Sequence, residues 1–172
     1  LGDGVSSLLS SLLGNSTLKA NDIQGTWQYQ GVDCVFKTEN VLMKAGGEVA
    51  ASKVETKIND LLKKVGVSSD LIAFTFNADN TFVITVKGRN IKGNYTLDLE
   101  NKKITLTYLN GVGTITPQIV KTGSTLSLLY DADKFMKFLT NISAVSNNAT
   151  VATLNTLLKS YDGMLIGMEL KK

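Results

Sequence analysis

The stretch LIAFTFNADNTFVITV, residues 71–86, decides the fold. Apolar and polar residues alternate on both sides of Asp79-Asn80, and such alternation is typical of a β-strand with one buried face. Asp and Asn between two alternating runs favour a tight turn. The stretch therefore predicts an antiparallel hairpin. Its inner face carries Ile72, Phe74, Phe76, Phe82, Ile84 and Val86.

Alternation continues through four further segments, up to residue 130. Asn110-Gly111 predicts a two-residue hairpin turn, because both residues tolerate positive φ. Pro117, the only proline, lies in a segment predicted over residues 112–120 and indicates a bulge or an outward-facing position, because it has no N–H. The other three segments have the apolar faces Tyr95, Leu97 and Leu99; Ile104, Leu106 and Tyr108; and Leu126, Leu128 and Tyr130.

The first and last predicted strands of the sequence complete the strand count. One begins at Trp27, the only tryptophan, and the last covers Met164 to Leu170. The total of eight predicts a mainly β fold with helices, built on an eight-stranded antiparallel barrel whose interior is filled by side chains or holds one small ligand. Because 172 residues favour a single domain, we expect an N-terminal helical segment over residues 1–20 and one barrel domain over 21–172.

Helical periodicity interrupts the strands at two places. One stripe lies between the first and second strands and ends at Gly66, a favourable C-terminal stop. Glu48, Glu55 and Lys64 are expected on its solvated face. Two more stripes lie between the seventh and last strands, where they are expected to cover the barrel. The stripes are Val54, Ile58, Leu61, Leu62 and Val65; Phe135, Phe138, Leu139 and Ile142; and Val151, Leu154, Leu157, Leu158 and Tyr161.

Composition argues against several function classes. Histidine is absent, which removes the commonest general base and the commonest zinc ligand, so no metal or other cofactor is expected. Arg89 is the sole arginine and the lysines are scattered at a net charge of +3, which argues against nucleic-acid binding. Cys34, without a histidine to activate it, is expected to be an apolar core residue.

Carboxylates remain as candidates for catalysis. Asp131 and Asp133 directly precede a predicted helix, where aspartates cap free N–H groups, so we expect a capping role for them. No catalytic residue is assigned, and the protein is not expected to be an enzyme.

Five segments form a distinctive combination: GTWQY (25–29), CVFKTEN (34–40), KAGG (44–47), FTFN (74–77) and YDGMLIGMEL (161–170). Together they resemble a family of exported, lipocalin-like bacterial proteins of unknown function, and the resemblance extends from about residue 20 to the end. It implies a barrel in the envelope of a Gram-negative bacterium, periplasmic or anchored to the outer membrane through a lipidated cysteine upstream of Leu1. True lipocalins place an arginine near the last strand over the tryptophan. Here Arg89 falls between two middle strands, so Trp27 is expected to be capped by other groups.

A binding function would use the inner face of the barrel. Met164, Ile166 and Met168 are assigned to it, because Glu169 on the opposite face prefers water. The working hypothesis is a barrel that binds a small apolar ligand, and the alternative is an envelope interaction module with a filled barrel and an unknown protein partner. The candidate cavity lining is Trp27, Tyr29, Phe74, Phe76, Phe82, Tyr95, Leu106, Leu128, Met164, Ile166 and Met168.

Overall fold

A computed structural model of the chain contains a closed antiparallel β-barrel. The structure describes residues 18–36, 48–69, 71–142, 149–159 and 164–172, with side chains throughout except at 35, 36, 48–54 and 164. Most of the predicted N-terminal helical segment, residues 1–17, lies outside these ranges.

The strands follow one another around the barrel in the order β4-β3-β2-β1-β9-β8-β7-β5, and pairing of β4 with β5 closes it. Both β6 and β7 pair with β5, so they are two halves of one strand interrupted at Pro117. This confirms the predicted eight-stranded barrel and the irregularity at the proline. The strands are β1 (Gly25–Phe36), β2 (Ile72–Phe76), β3 (Thr81–Val86), β4 (Arg89–Asp98), β5 (Lys103–Tyr108), β6 (Gly113–Ile115), β7 (Gln118–Thr122), β8 (Thr125–Asp131) and β9 (Met164–Lys171).

A bulge divides β1 into two halves. Tyr29 pairs with Leu170 of β9 and the next pair joins Gly31 to Glu169, so Gln30 is an extra residue in β1. One inserted residue reverses the alternation of faces. As a result the buried positions Trp27 and Tyr29 before the bulge and Val32 and Cys34 after it face the same interior.

Helices cover one end of the barrel. They are α1 (Glu48–Lys64), α2 (Ala132–Asn141) and α3 (Ala149–Lys159). α1 follows β1, and α2 and α3 follow β8; these two strands run in the same direction, so all three helices lie at the same barrel end. The predicted insertions after the first strand and before the last are confirmed. The opposite end holds a 3-10 turn, Ala20–Asp22, that leads into β1.

Some local predictions were wrong. β4 begins at Arg89, so the preceding turn is Lys87-Gly88, and Leu99 lies in the next turn with 37% of its surface exposed. Asn110 and Gly111 have positive φ as predicted, but they belong to a four-residue loop, 109–112, because Tyr108 pairs with Gly113 and Leu109 also has a φ of 52°.

The prediction that the Asp131 side chain caps helix N–H groups was also wrong. Asp131 occupies the N-cap position of α2, but its side chain makes no capping hydrogen bond. Its carboxylate lies 3.6 Å from the ammonium of Lys134, one turn into the helix. Asp133 lies in the first turn, where a negative charge favours the helix dipole.

Candidate functional site

The barrel interior holds the predicted lining residues. Side chains of directly paired residues point to the same face of a sheet, and the register joins Trp27 to Phe74, Phe76 to Phe82 and Met168 to Leu128. Ten of the eleven predicted residues are on this inner face, and none of them exposes more than 2% of its surface. Met164 begins β9, and its side chain is outside the described set. A ligand-binding role for these residues stays a prediction.

Aromatic rings form a connected run through this interior. The ring centroid of Phe76 lies 5.4 Å from that of Tyr95, 6.3 Å from that of Phe82 and 6.0 Å from that of Phe74. Phe74 is in turn 6.3 Å from Phe138. These separations are within the range of favourable aromatic pairs, so neighbouring rings contact each other.

Phe138 of α2 inserts its ring into the barrel from the end that the helices cover. Besides Phe74, its ring contacts Tyr108 edge-on at 5.7 Å and Tyr130 in a stacked arrangement at 5.5 Å. Tyr130 is also 5.7 Å from Phe135. Sequence reasoning placed Phe138 on an apolar helix face and both tyrosines on strand faces, but it did not include these three residues in the site. The period-2 pattern was the available signal for the tyrosines, whereas the insertion of Phe138 depends on long-range packing.

Tyr130 carries an unpaired buried hydroxyl. Its oxygen is fully enclosed and has no hydrogen-bond partner in the part of the chain that the structure describes. Burial raises the pKa of Tyr130, and the neighbouring Tyr108 adds to the effect. The nearby Tyr108 hydroxyl, by contrast, accepts a hydrogen bond from Asn141 at 3.2 Å. An unmade hydrogen bond of a buried hydroxyl costs about 1–3 kcal/mol.

Trp27 closes the barrel end opposite the helices. Its indole N–H donates a 2.7 Å hydrogen bond to the carbonyl of Ile23, beside the 3-10 turn. The ammonium groups of Lys172 and Lys121 lie 5.0 Å and 5.8 Å from the ring centroid. This confirms that groups other than Arg89 cap the tryptophan. A lysine directly after the last strand was the available sequence signal.

Helix α1 completes the exposed edge of β1. β2 pairs with β1 only as far as Gln28, so the later residues of β1 have no β2 neighbour. Asn59 takes that place, since its Oδ1 accepts from Val32 N at 3.0 Å and its Nδ2 donates to Val32 O at 3.2 Å. Glu55 Oε1 accepts from Cys34 N at 2.9 Å. The expectation that Glu55 lies on a solvated face was therefore wrong, because the strand edge beneath α1 needs an acceptor.

The carboxylates of Glu55 and Glu169 lie close enough to Asp33 to affect it. Burial raises the pKa of Asp33 to about 6, and the negative charges of Glu169 and Glu55 add to the shift. Burial also raises the pKa of the Cys34 thiol to about 12, with further contributions from Glu55 and Asp33. Cys34 is buried and free, which confirms it as a core residue. A thiol with this pKa is protonated at neutral pH and is a poor nucleophile.

A groove of about 600 Å³ lies outside the barrel, across β3, β4 and β5. Its walls include the amide side chains of Asn77, Asn94 and Asn110, together with Lys92. It is separate from the predicted lining, apart from the buried Phe82 at its floor.

Neither a metal centre nor a membrane-spanning helix emerges from the described ranges. Within them, no three His, Cys, Asp or Glu side chains come together in a way that could hold a metal ion. The helices described are also too short or too polar to cross a bilayer.

Comparisons with known proteins place the chain in a family. Curated proteins give no match. Among solved structures, the chain is similar to the crystal structure of a DUF4847 family protein from Bacteroides vulgatus ATCC 8482, with 12% sequence identity, a TM-score of 0.39, and coverage of 89% of this chain and 96% of that chain. The model of the family described as Lipocalin-like domain (DUF4923) matches residues 1–172, and the protein belongs to that family.

Proposed function

We propose that this lipocalin-like barrel is not an enzyme and acts through its surface, as an interaction module whose interior is filled by its own side chains. The observation that carries the proposal is the run of aromatic rings from Tyr95 to Phe138, which occupies the space where a lipocalin-like barrel would hold a ligand. Further support comes from the core, since no polar or charged residue among those described is fully buried there. Catalysis needs positioned polar groups, and the interior offers few.

A tryptophan introduced into the barrel tests this proposal. Ile166 is fully buried on the inner face of β9, so Ile166→Trp adds a large ring to a filled space and should destabilise the fold by about 1–3 kcal/mol or more. The matched control is Thr96→Trp at an exposed position of β4, which should change stability by less than about 0.5 kcal/mol. A hollow barrel would accept the ring at position 166 without this loss.

Native mass spectrometry of protein purified from its own host is a second test of the filled interior. The proposal expects no co-purifying small molecule. A bound mass that disappears in a folded Ile166→Trp variant would overturn the filled interior.

Binding of a small apolar ligand is the second candidate function, and the unpaired Tyr130 hydroxyl favours it. A ligand with an apolar body and one polar end would fit between Tyr130 and α2 if Phe138 moved, and it would supply the missing hydrogen bond. Helical lids are among the less stable parts of many folds, which makes such a movement feasible. A co-purifying mass that is retained by the natural protein and lost in Tyr130→Phe would support this candidate.

We also propose that the protein is exported to the cell envelope and held there by a lipid anchor upstream of Leu1. The support is the likeness of its motifs to exported lipocalin-like proteins. Expression of the natural gene with a labelled fatty acid, followed by fractionation, tests it. Label in the protein within the envelope fraction is expected, and recovery of unlabelled protein in the cytoplasm would contradict it.

A further inference from the structure

The outer face of the barrel carries a row of small polar side chains across three strands. Thr81 of β3 pairs with Asn94 of β4, and Asn94 pairs with Thr107 of β5. Side chains of directly paired residues share a face of the sheet. The adjoining residues Phe82 and Tyr108 are buried in the barrel interior, so the polar row faces outward. All three residues of the row line the groove of about 600 Å³.

Two turns border this groove. β5 ends at Tyr108, and the loop that follows it packs beside β4. Leu109, Asn110 and Gly111 of this loop all have left-handed backbone, with φ of 52°, 55° and 89°. Such backbone is unfavourable for a leucine, and strain of this kind is common at functional sites. Asn110 and Gly111 line the groove on the β5 side, and Asn77, at the start of the β2–β3 turn, lines it on the β3 side. The volume is within the range of small-molecule sites, about 300–1,000 Å³.

Several polar groups in the groove have no partner in the described part of the chain. None of the described residues makes a hydrogen bond to the side chains of Asn94, Thr107 or Asn110. The Asn77 side chain is oriented by a 3.0 Å hydrogen bond from its Nδ2 to Thr81 Oγ1, which leaves its Oδ1 available as an acceptor. Amides and hydroxyls both donate and accept hydrogen bonds. The groove therefore offers donors and acceptors next to each other.

The same lining argues against two other classes of small ligand. Lys92 is the one charged side chain among the described residues that line the groove, so a polyanion would find a single cation there. Phe82 and Tyr108 border the groove, but neither exposes more than 2% of its surface, so no ring face is offered to a nucleobase. The remaining apolar side chain is Val83, which is half-buried, so an apolar ligand would find little surface to contact.

A peptide added as a strand does not fit this groove either. Such a peptide needs unpaired backbone groups at a sheet edge. The groove lies over the face of β3, β4 and β5, and its polar row belongs to residues that are paired across all three strands. Recognition here must therefore use side chains, and these match a compound that is dense in hydroxyl groups.

We propose that the groove across β3, β4 and β5 binds a short, uncharged oligosaccharide. The side-chain amides of Asn77, Asn94 and Asn110 and the hydroxyl of Thr107 bind the sugar hydroxyls, and Val83 contacts the C–H groups of a sugar ring. The inference rests on the proposed surface function and names its ligand class. It can fail alone, because sugar binding in the groove and co-purification of a molecule inside the barrel are measured separately.

NMR titration of the whole chain with four trisaccharides tests the ligand class. Three are uncharged and are built from glucose, mannose or N-acetylglucosamine, and the fourth is built from galacturonic acid. At least one uncharged sugar should shift the side-chain NH₂ signals of Asn94 and Asn110 in a saturable way, whereas the signal of Asn155, exposed on α3, should not move. Absence of saturable shifts with all three uncharged sugars overturns the proposal. Tighter binding of the acidic sugar than of any uncharged one also overturns it.

Matched variants test the contact residues with the uncharged sugar that binds most tightly. Asn94→Ala should weaken its binding about fivefold, which is the effect of one lost hydrogen bond. Asn155→Ala makes the same exchange outside the groove and should leave the affinity within about twofold of the parent. Both side chains are exposed, so both variants should keep the fold, and their backbone NMR spectra check this. Equal affinities of the two variants would overturn the proposal.

Discussion

The ammonium of Lys172 lies 5.0 Å above the centre of the Trp27 ring, at the barrel end opposite the helices. Its stem also passes close to Gly25, where a Cβ would lie 2.9 Å from the Cε of Lys172. The glycine thus leaves room for the lysine to reach the ring. In this chain a lysine after the last strand performs the capping that an arginine performs in true lipocalins.

Removal of this cation should lower stability modestly. Lys172→Gln should decrease the free energy of unfolding by about 0.5–1 kcal/mol, which is the size of a partly exposed cation–π contact. The same exchange at the neighbouring Lys171 is the control and should have a smaller effect. Urea denaturation measures both, and equal losses at the two positions would argue against the ring contact.

The Trp27 side chain should contribute far more to the free energy of unfolding than the Lys172 ammonium does. Trp27→Ala should lower the free energy of unfolding by about 3–5 kcal/mol, because a fully buried large aromatic ring leaves a cavity behind. Val112→Ala, at a highly exposed position, should remain within about 0.5 kcal/mol of the parent. If the Trp27 variant lost less than about 1 kcal/mol, the indole could not close the barrel end.

Asn59 should anchor α1 to β1. Asn59→Ala removes both hydrogen bonds to Val32 and leaves a backbone N–H and a C=O without partners, so a loss of about 1–3 kcal/mol is expected. Amide hydrogen exchange at Val32 should accelerate together with that of α1. Asp60→Ala, an exposed neighbour on the same helix, should change neither quantity. Unaltered exchange at Val32 in the Asn59 variant would show that the helix is held by other contacts.

Asp33 should make stability fall as pH rises. Its pKa is about 6 in the folded protein and near 3.8 when unfolded, so between these values the folded state binds more protons and stability decreases with pH. The effect should be on the order of 1 kcal/mol, since solvent screens this half-buried group. Asp33→Asn should remove the slope between pH 4 and pH 6 and stabilise the protein at pH 7. Asp98→Asn, at the exposed end of β4, should retain the slope between pH 4 and pH 6. Identical profiles for the two variants would contradict the assignment.

The Tyr130 hydroxyl should contribute nothing to folding. Tyr130→Phe removes an unpaired buried oxygen and should leave stability unchanged or raise it by about 1 kcal/mol. Tyr95→Phe is the matched change, because Tyr95 donates a 2.6 Å hydrogen bond to Asn77 O, and it should cost about 1 kcal/mol. A comparable loss at Tyr130 would mean that a bound molecule or water satisfies its hydroxyl.

The barrel was predictable because its signal is local. Alternation such as Phe74, Phe76 and then Phe82, Ile84 depends only on near neighbours in sequence, and the helical stripes do so equally. The contacts of Glu55, Asn59 and Phe138 depend instead on where elements distant in sequence meet. Polar residues such as Glu55 and Asn59 have the sequence pattern of a solvent-exposed helix face, and this pattern does not indicate that a strand edge lies beneath them. Their contacts could therefore be found only in the structure.

The bulge at Gln30 has a consequence for how the family can vary in length. Deletion of this extra residue would restore plain alternation in β1 and leave Trp27, Tyr29, Val32 and Cys34 all facing inward, whereas deletion of Gln28 would turn Trp27 outward if Tyr29 kept its place. Loss of one residue from the turn at Lys87-Gly88 would affect only the connection between two strands. We therefore expect single-residue deletions to be tolerated between strands and at the bulge but selected against elsewhere within β1, where chain length itself determines which side chains are inside.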